Sequence, residues 1–301
     1  MNVRAGGAAG VAPGRGGSEF EQLRESNTVM YVRTDVRPVL QKNAFARFDD
    51  FVRPDRGEVI QSHGIREVAR LELTDETGPR TVYLKRYGPM DLKDALKDLL
   101  LFRRVRTKAA HEFEMLAAFR RAGIAVPVAL AWGERHVLGR DRASFLMLEA
   151  LPPGEPMRAV MLRLKEPSRR RRLIASAAEF VRRMHQAGCA HTDLFAQHLF
   201  VTEREDGRWS VTVIDLQRAV CRPSLAAKER GRDLASLMVS VAPDAATRRE
   251  RMEFLHGYLG RRKLARDDVT FVRSTVLPTA RKLSRRTGYK VWRPILERHD
   301  A

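Results

Sequence analysis

The segment His191-Thr192-Asp193-Leu194-Phe195-Ala196-Gln197-His198 places a carboxylate, two imidazoles and an amide directly ahead of the apolar run Leu199-Phe200-Val201. The polar turn EREDGR follows, and then WSVTVID, which ends on Asp215. The pattern reads as a hairpin with Asp193 before its first strand and Asp215 at the end of its second. Folding the hairpin back brings both carboxylates to one edge. One could accept a proton from a hydroxyl, and the other could hold a hard cation through oxygen. Phosphoryl transfer needs that pair, together with a cation on the nucleotide phosphates. Lys85 sits mid-strand in VYLKRY, where a charge among apolar neighbours calls for a partner. Glu112 on the next helical segment could supply it, with Glu114 as the rival.

The elements that must position these residues are legible in outline. GEVIQSHGIREVARLEL reads as strand, turn and strand, with Gly64 near the turn, and RTVYLKRY as a third strand. DLKDALKDLLLFRRVR and KAAHEFEMLAAFRRAG are predicted helices, the first with Leu92, Leu96, Leu99 and Leu100 on one stripe. IAVPVALAWGE and ASFLMLEAL are two more strands, and PPGEP breaks the chain. Beyond it helices dominate. SRRRRLIASAAEFVRRMHQAG carries Ile174, Ala177, Val181 and Met184 at helical spacing.

At 301 residues and 44% apolar, the chain can bury a core. Its formal net charge of +19 points to an anionic partner: phosphate, an acidic membrane surface or nucleic acid. Aromatics make up 7% and do not interleave with the basic runs 103–108, 168–172, 260–263 and 281–286, so nucleic acid is the weakest of the three. Those runs read as solvated faces or as contacts to anionic headgroups or a phosphorylated acceptor. Cys189 and Cys221 suggest neither a zinc site nor a disulfide framework, and Cys189 reads as a small core residue in a reducing compartment. No apolar run is long enough for a membrane-spanning helix. Residues 1–26 read as a flexible tail.

Four segments in one order, VYLKRY, AAHEFEMLAAFRRAGIAVP, HTDLFAQHLFV and VIDLQRA, resemble the bacterial lipopolysaccharide kinase family, which includes the inner-core heptose kinases and the Kdo kinases. The resemblance spans about residues 55–240. It implies an α+β, bilobal, protein-kinase-like fold with an antiparallel-sheet N-lobe over 27–150 and a mainly helical C-lobe over 151–301. It implies ATP and Mg²⁺, with Lys85 on the nucleotide phosphates, Glu112 paired to it, Asp193 as the base and Asp215 on the metal. Gly64 would be what remains of a glycine-rich loop. MLEAL, with Glu149 and Leu151, would be the hinge that meets adenine. His198 stands where a protein kinase places a metal-binding Asn. Imidazole suits Mg²⁺ less well than an amide oxygen does. Asp215-Leu216-Gln217 replaces Asp-Phe-Gly, and Thr192 replaces the Arg that reads a phosphorylated activation loop. Asp233 in RDLASLM resembles the buried anchor of the catalytic loop, and the short connection from Asp215 to Asp233 argues for a non-peptide acceptor.

The expected function is ATP-dependent phosphorylation of a sugar hydroxyl in the lipopolysaccharide inner core, on the cytoplasmic side of the inner membrane. The expected partners are the core glycolipid and the anionic membrane surface. The rivals are a small-molecule phosphotransferase and a non-catalytic kinase-like scaffold that binds anionic lipid or nucleic acid. The sequence fixes no oligomeric state.

Overall fold

The computed structural model describes residues 19–25, 27–76, 78–88, 107–137, 140–285 and 292. The predicted helix with its leucine stripe at 92–100 lies outside them, as does the basic run 103–108 apart from its last two residues. The chain divides into two compact units: residues 1–107 with Ala129–Leu148, and Lys108–Val128 with residues 149–301.

The first unit is a seven-stranded sheet in the order β1-β2-β6-β7-β5-β4-β3. Its strands are β1 Phe20–Glu25, β2 Thr28–Arg33, β3 Glu58–His63, β4 Arg66–Asp75, β5 Gly78–Tyr87, β6 Ala129–Val137 and β7 Arg140–Glu149. β4 and β5 pair antiparallel over ten residues each, with Val68 opposite Lys85. Alternation sets the faces of β4: Ala69, Leu71 and Leu73 are buried, while Arg70, Glu72 and Thr74 are not. Two short helices, α1 Arg37–Lys42 and α2 Phe48–Val52, lie between β2 and β3. Phe51 of α2 stacks on Phe145 of β7 at 4.2 Å, and Phe48 packs on the same ring at 5.5 Å.

The N-terminal tail expected over 1–26 is corrected at its end, because Phe20–Glu25 is β1, registered residue for residue against β2. FEQLRE has no strong alternation of its own, and the neighbouring edge supplies its hydrogen bonds.

The second unit holds helix α3, Lys108–Arg121. The sequence places this helix with the sheet, but it groups with the mainly helical unit. There His111 Nε2 donates to the Ala219 carbonyl at 3.1 Å, and Val213 N donates to the Ala125 carbonyl at 3.0 Å. The remaining α-helices among the described residues are α4 Met157–Arg163, α5 Pro167–Gln186, α6 Ala227–Ser240, α7 Arg248–Leu259, α8 Arg266–Phe271 and α9 Leu277–Ser284. α5 starts on Pro167, with the Glu166 carboxylate accepting Ser168 N and Arg169 N. Ile174, Ala177, Val181 and Met184 are all buried, as their spacing predicts.

The arginine run at its start is engaged within the protein. Arg169 pairs with Glu203 and Arg170 with Glu250, and Arg172 donates to the Gly207 carbonyl. Arg170 also donates to the carbonyls of Met161, Leu164 and Ala245. These residues tie α5 to its surroundings before they can serve an external anion.

Candidate active site

The hairpin of the second unit consists of β10 Leu199–Glu203 and β11 Trp209–Val213, joined on its far side by β8 Glu155–Pro156. Leu199 pairs with Val213, and Ile214 N donates to the His198 carbonyl at 3.0 Å. That register leaves residues 191–198 and 214–219 at one end. A second, two-residue ladder closes the other side, with β9 Cys189–Ala190 antiparallel to β12 Val220–Cys221. Cys189 and Cys221 lie directly opposite each other and form a disulfide. This corrects the expectation of unpaired cysteines. Spacing in sequence gives no hint of it, because the two meet only when residues 188–222 fold back on themselves. Gly188 starts this ladder at φ +76, and a Cβ there would stand 1.9 Å from the Arg222 carbonyl oxygen. Any other residue would part the two strands.

The loop between the two ladders is fastened from beneath by α6. Asp233 is fully buried, and its Oδ2 accepts His191 N at 2.8 Å and His185 Nε2 at 3.1 Å. Ser240 Oγ accepts Ala196 N at 2.8 Å. His191 is itself buried. Its Nε2 faces the Ile214 carbonyl at 2.9 Å, and its Nδ1 faces Asp193 N at 3.3 Å. A carbonyl only accepts, so the proton is assigned to Nε2, and Nδ1 receives the Asp193 N–H. This ring therefore braces Asp193 against the strand that leads to Asp215.

Thr192 and Asp215 both have φ +64. For a β-branched residue this is a strained conformation costing roughly 1–3 kcal/mol, and aspartate tolerates it better. Thr192 is held there by its hydroxyl donating to the Arg218 carbonyl at 2.7 Å and by Arg232 Nε donating to its own carbonyl. The twist at Thr192 presents Asp193 to two guanidinium groups, Arg218 Nη1 on Oδ2 at 2.7 Å and Arg232 Nη2 on Oδ1 at 3.0 Å. Burial pushes the Asp193 carboxyl up, but the two arginines outweigh it and hold the group below the usual aspartate value.

His198 Nδ1 donates to the Asp193 carbonyl at 2.9 Å, and its ring stacks on His191 at 5.2 Å between centroids. Desolvation, then the neighbouring His191, lowers its pKa, while the Asp215 and Asp193 charges act against this. With Nδ1 donating, Nε2 is the nitrogen that carries the lone pair in the neutral ring. The fold brings Asp193, His198 and Asp215 to one end of one hairpin.

The other sequence-predicted residues are placed as follows. Glu112 on α3 is fully buried, unlike its rival Glu114. Glu149 ends β7 with its N–H on the Val128 carbonyl at 2.9 Å, and Leu151 follows outside any strand. In the first unit Lys85 lies on β5, an interior strand between β7 and β4, and is 7% exposed. Its neighbour Arg86 is equally buried, with Nε on the Phe51 carbonyl at 2.9 Å and Nη1 on Glu67. Gly64 turns β3 into β4 at φ +57 with open space around its Cα.

A model of the lipopolysaccharide kinase (Kdo/WaaP) family matches residues 50–258. The chain belongs to this family. The lipopolysaccharide core heptose(I) kinase WaaP of Escherichia coli K12 is 31% identical over 227 residues, covering 73% of this chain and 82% of the relative. The kinase of the same name from Pseudomonas aeruginosa is 30% identical over 223 residues, covering 70% and 82%. Among solved structures, WaaP in complex with acyl carrier protein superposes with a TM-score of 0.62 at 24% identity, over 82% of this chain and 96% of that one. The fold is therefore protein-kinase-like, and membership of a kinase family implies a nucleoside triphosphate as phosphate donor.

Among the described residues no group of three His, Cys, Asp or Glu side chains could hold a metal. A Mg²⁺ ion bound together with nucleotide phosphates takes one or two protein carboxylates. Asp215 fits as such a ligand by its chemistry, and the imidazole of His198 fits less well. Arg218, Arg232 and Ser240 are not among the residues that the sequence points to. Arg218 lies inside the quoted VIDLQRA and Arg232 directly precedes Asp233, but nothing in the spacing shows that both converge on Asp193.

Proposed function

We propose that this protein is an ATP-dependent kinase that phosphorylates a sugar hydroxyl of the lipopolysaccharide inner core, with a heptose as the favoured acceptor. The reading is carried by one juxtaposition, Asp193, His198 and Asp215 at one hairpin end above the buried Asp233, in a chain of this family. Asp193 orients the attacking hydroxyl and receives its proton as the bond to phosphorus forms. Asp215 is the residue that would hold Mg²⁺, which when bound neutralises phosphate charge. Lys85, a buried ammonium, serves the nucleotide phosphates, and Glu112 is its proposed partner. Gly64 lies in the turn proposed to cover the phosphates, and Glu149 and Leu151 form the proposed hinge for adenine. Positioning and charge neutralisation supply most of the rate.

No helix among the described residues is long and apolar enough to cross a membrane. The proposed site of action is the cytoplasmic face of the inner membrane, where a net charge of +19 favours an anionic surface as partner. The same charge weighs against the rival reading of a phosphotransferase for small cationic acceptors. Incubation with labelled ATP, Mg²⁺ and deacylated core oligosaccharide, followed by mass mapping of the product, tests the reading. An added phosphate on a core sugar supports it. Transfer to other alcohols but to no core sugar overturns it.

A further inference from the structure

The two guanidinium groups on Asp193 are built differently. Arg232 leaves α6 beside the anchor Asp233, and its fork spans the Thr192 carbonyl and Asp193 Oδ1, so it grips backbone and carboxylate together. The Arg218 side chain is 62% exposed, and among the described residues its guanidinium bonds to Asp193 Oδ2. Its main chain is nonetheless fixed. The Arg218 carbonyl accepts the Thr192 hydroxyl, and Ala219 N donates to the Leu216 carbonyl at 3.1 Å. A fixed stem thus carries a water-facing guanidinium to the oxygen that a substrate hydroxyl must approach. An exposed Arg–carboxylate pair contributes little in water, whereas the planar fork of Arg matches a carboxylate or phosphate with two parallel bonds.

We propose that Arg218 reads the acceptor. In the free protein it caps Asp193 Oδ2. With acceptor bound, it turns to a carboxylate or phosphate carried beside the reacting hydroxyl. Asp193 Oδ2 is then open to that hydroxyl, while Arg232 keeps Oδ1 and the loop in place. This inference rests on the core-sugar kinase reading and adds a selection rule to it: the hydroxyl chosen is one with an anion next to it.

The test is steady-state kinetics of the full chain with four forms of deacylated core oligosaccharide: native, carboxyl-reduced, dephosphorylated, and both reduced and dephosphorylated. For Arg218→Ala we expect about a tenfold higher KM for native acceptor, the size of one lost charge-assisted contact. We expect kcat within about threefold of wild type and an unchanged KM for ATP. The penalty should vanish on the form that lacks the anion Arg218 reads, which identifies it as carboxylate or phosphate. Arg218→Lys should recover part of the lost affinity. A penalty that persists undiminished on the doubly stripped acceptor overturns the inference, as does a loss confined to kcat or a raised KM for ATP. Wild-type protein that transfers to none of the four refutes the core-sugar reading, and this inference falls with it. Transfer by wild type with equal KM on all four refutes the inference alone.

Discussion

Asp233 Oδ2 accepts the main-chain N–H of His191 at 2.8 Å, so a fully buried carboxylate on α6 sets the height of the loop that presents Asp193 two residues later. Replacing it with alanine strands two donors, His191 N and His185 Nε2, away from water. Asp233→Ala should cost about 2–4 kcal/mol of stability and lower the thermal midpoint by several degrees. Turnover should fall even at temperatures where the variant remains folded. Calorimetry alongside an activity assay checks both, and full activity in a folded variant would remove Asp233 from this role.

Asp193→Asn keeps the shape of the side chain but removes the charge that Arg218 and Arg232 share. Transfer to the core acceptor should fall by about 10²–10⁴, with little change in affinity for ATP. Turnover unchanged in this variant would dismiss Asp193 as the base.

Lys85→Met keeps the aliphatic length on an interior strand and removes the ammonium. The sheet should survive, because methionine is apolar and of similar length at a position that is buried. Nucleotide affinity and turnover should drop together, by about tenfold or more each. Isothermal titration with a non-hydrolysable ATP analogue separates this outcome from unfolding.

The disulfide closes a separation of 32 residues around the candidate catalytic loop. Replacing both cysteines with alanine should cost about 3 kcal/mol, chiefly by freeing the unfolded chain. The same loss should follow incubation of wild type with a strong reductant. Identical melting curves for oxidised, reduced and substituted protein would argue that the bond contributes nothing to the native state.

Burial pushes the Glu250 carboxyl up, but bonds from Arg170 and Thr247 prevail and hold it below the ordinary value of 4.5. A depressed carboxyl contributes stability above its unfolded pKa and loses it as the pH falls through the folded one. The contribution should therefore be complete at neutral pH and decline below about pH 4.5. Glu250→Gln should be less stable than wild type at pH 7, with the gap narrowing in acid. Denaturant midpoints measured across pH 3–7 should show that convergence, and a constant gap would contradict it.

Much of this molecule is written locally. The alternation of VYLKRY, the helical spacing in α5 and the turn between two apolar runs specify strands, a helix and a hairpin. A hairpin forces its two ends together, so Asp193 and Asp215 could be assigned to one edge from sequence alone. The quoted motifs, taken in order, also carried the family. What the sequence could not show are relations made by chain reversal over long separations. FEQLRE becomes a strand because β2 offers it an edge, and α3 groups with the helical unit through bonds to residues about a hundred positions on. Cys189 meets Cys221 only because Gly188 lets the backbone of Arg222 approach. Arg218 and Arg232 find Asp193 because Thr192 is held in a left-handed turn. Local propensity is a property of neighbouring side chains, but the sharing of one carboxylate by two distant arginines depends on packing, which alone fixes where distant charges meet.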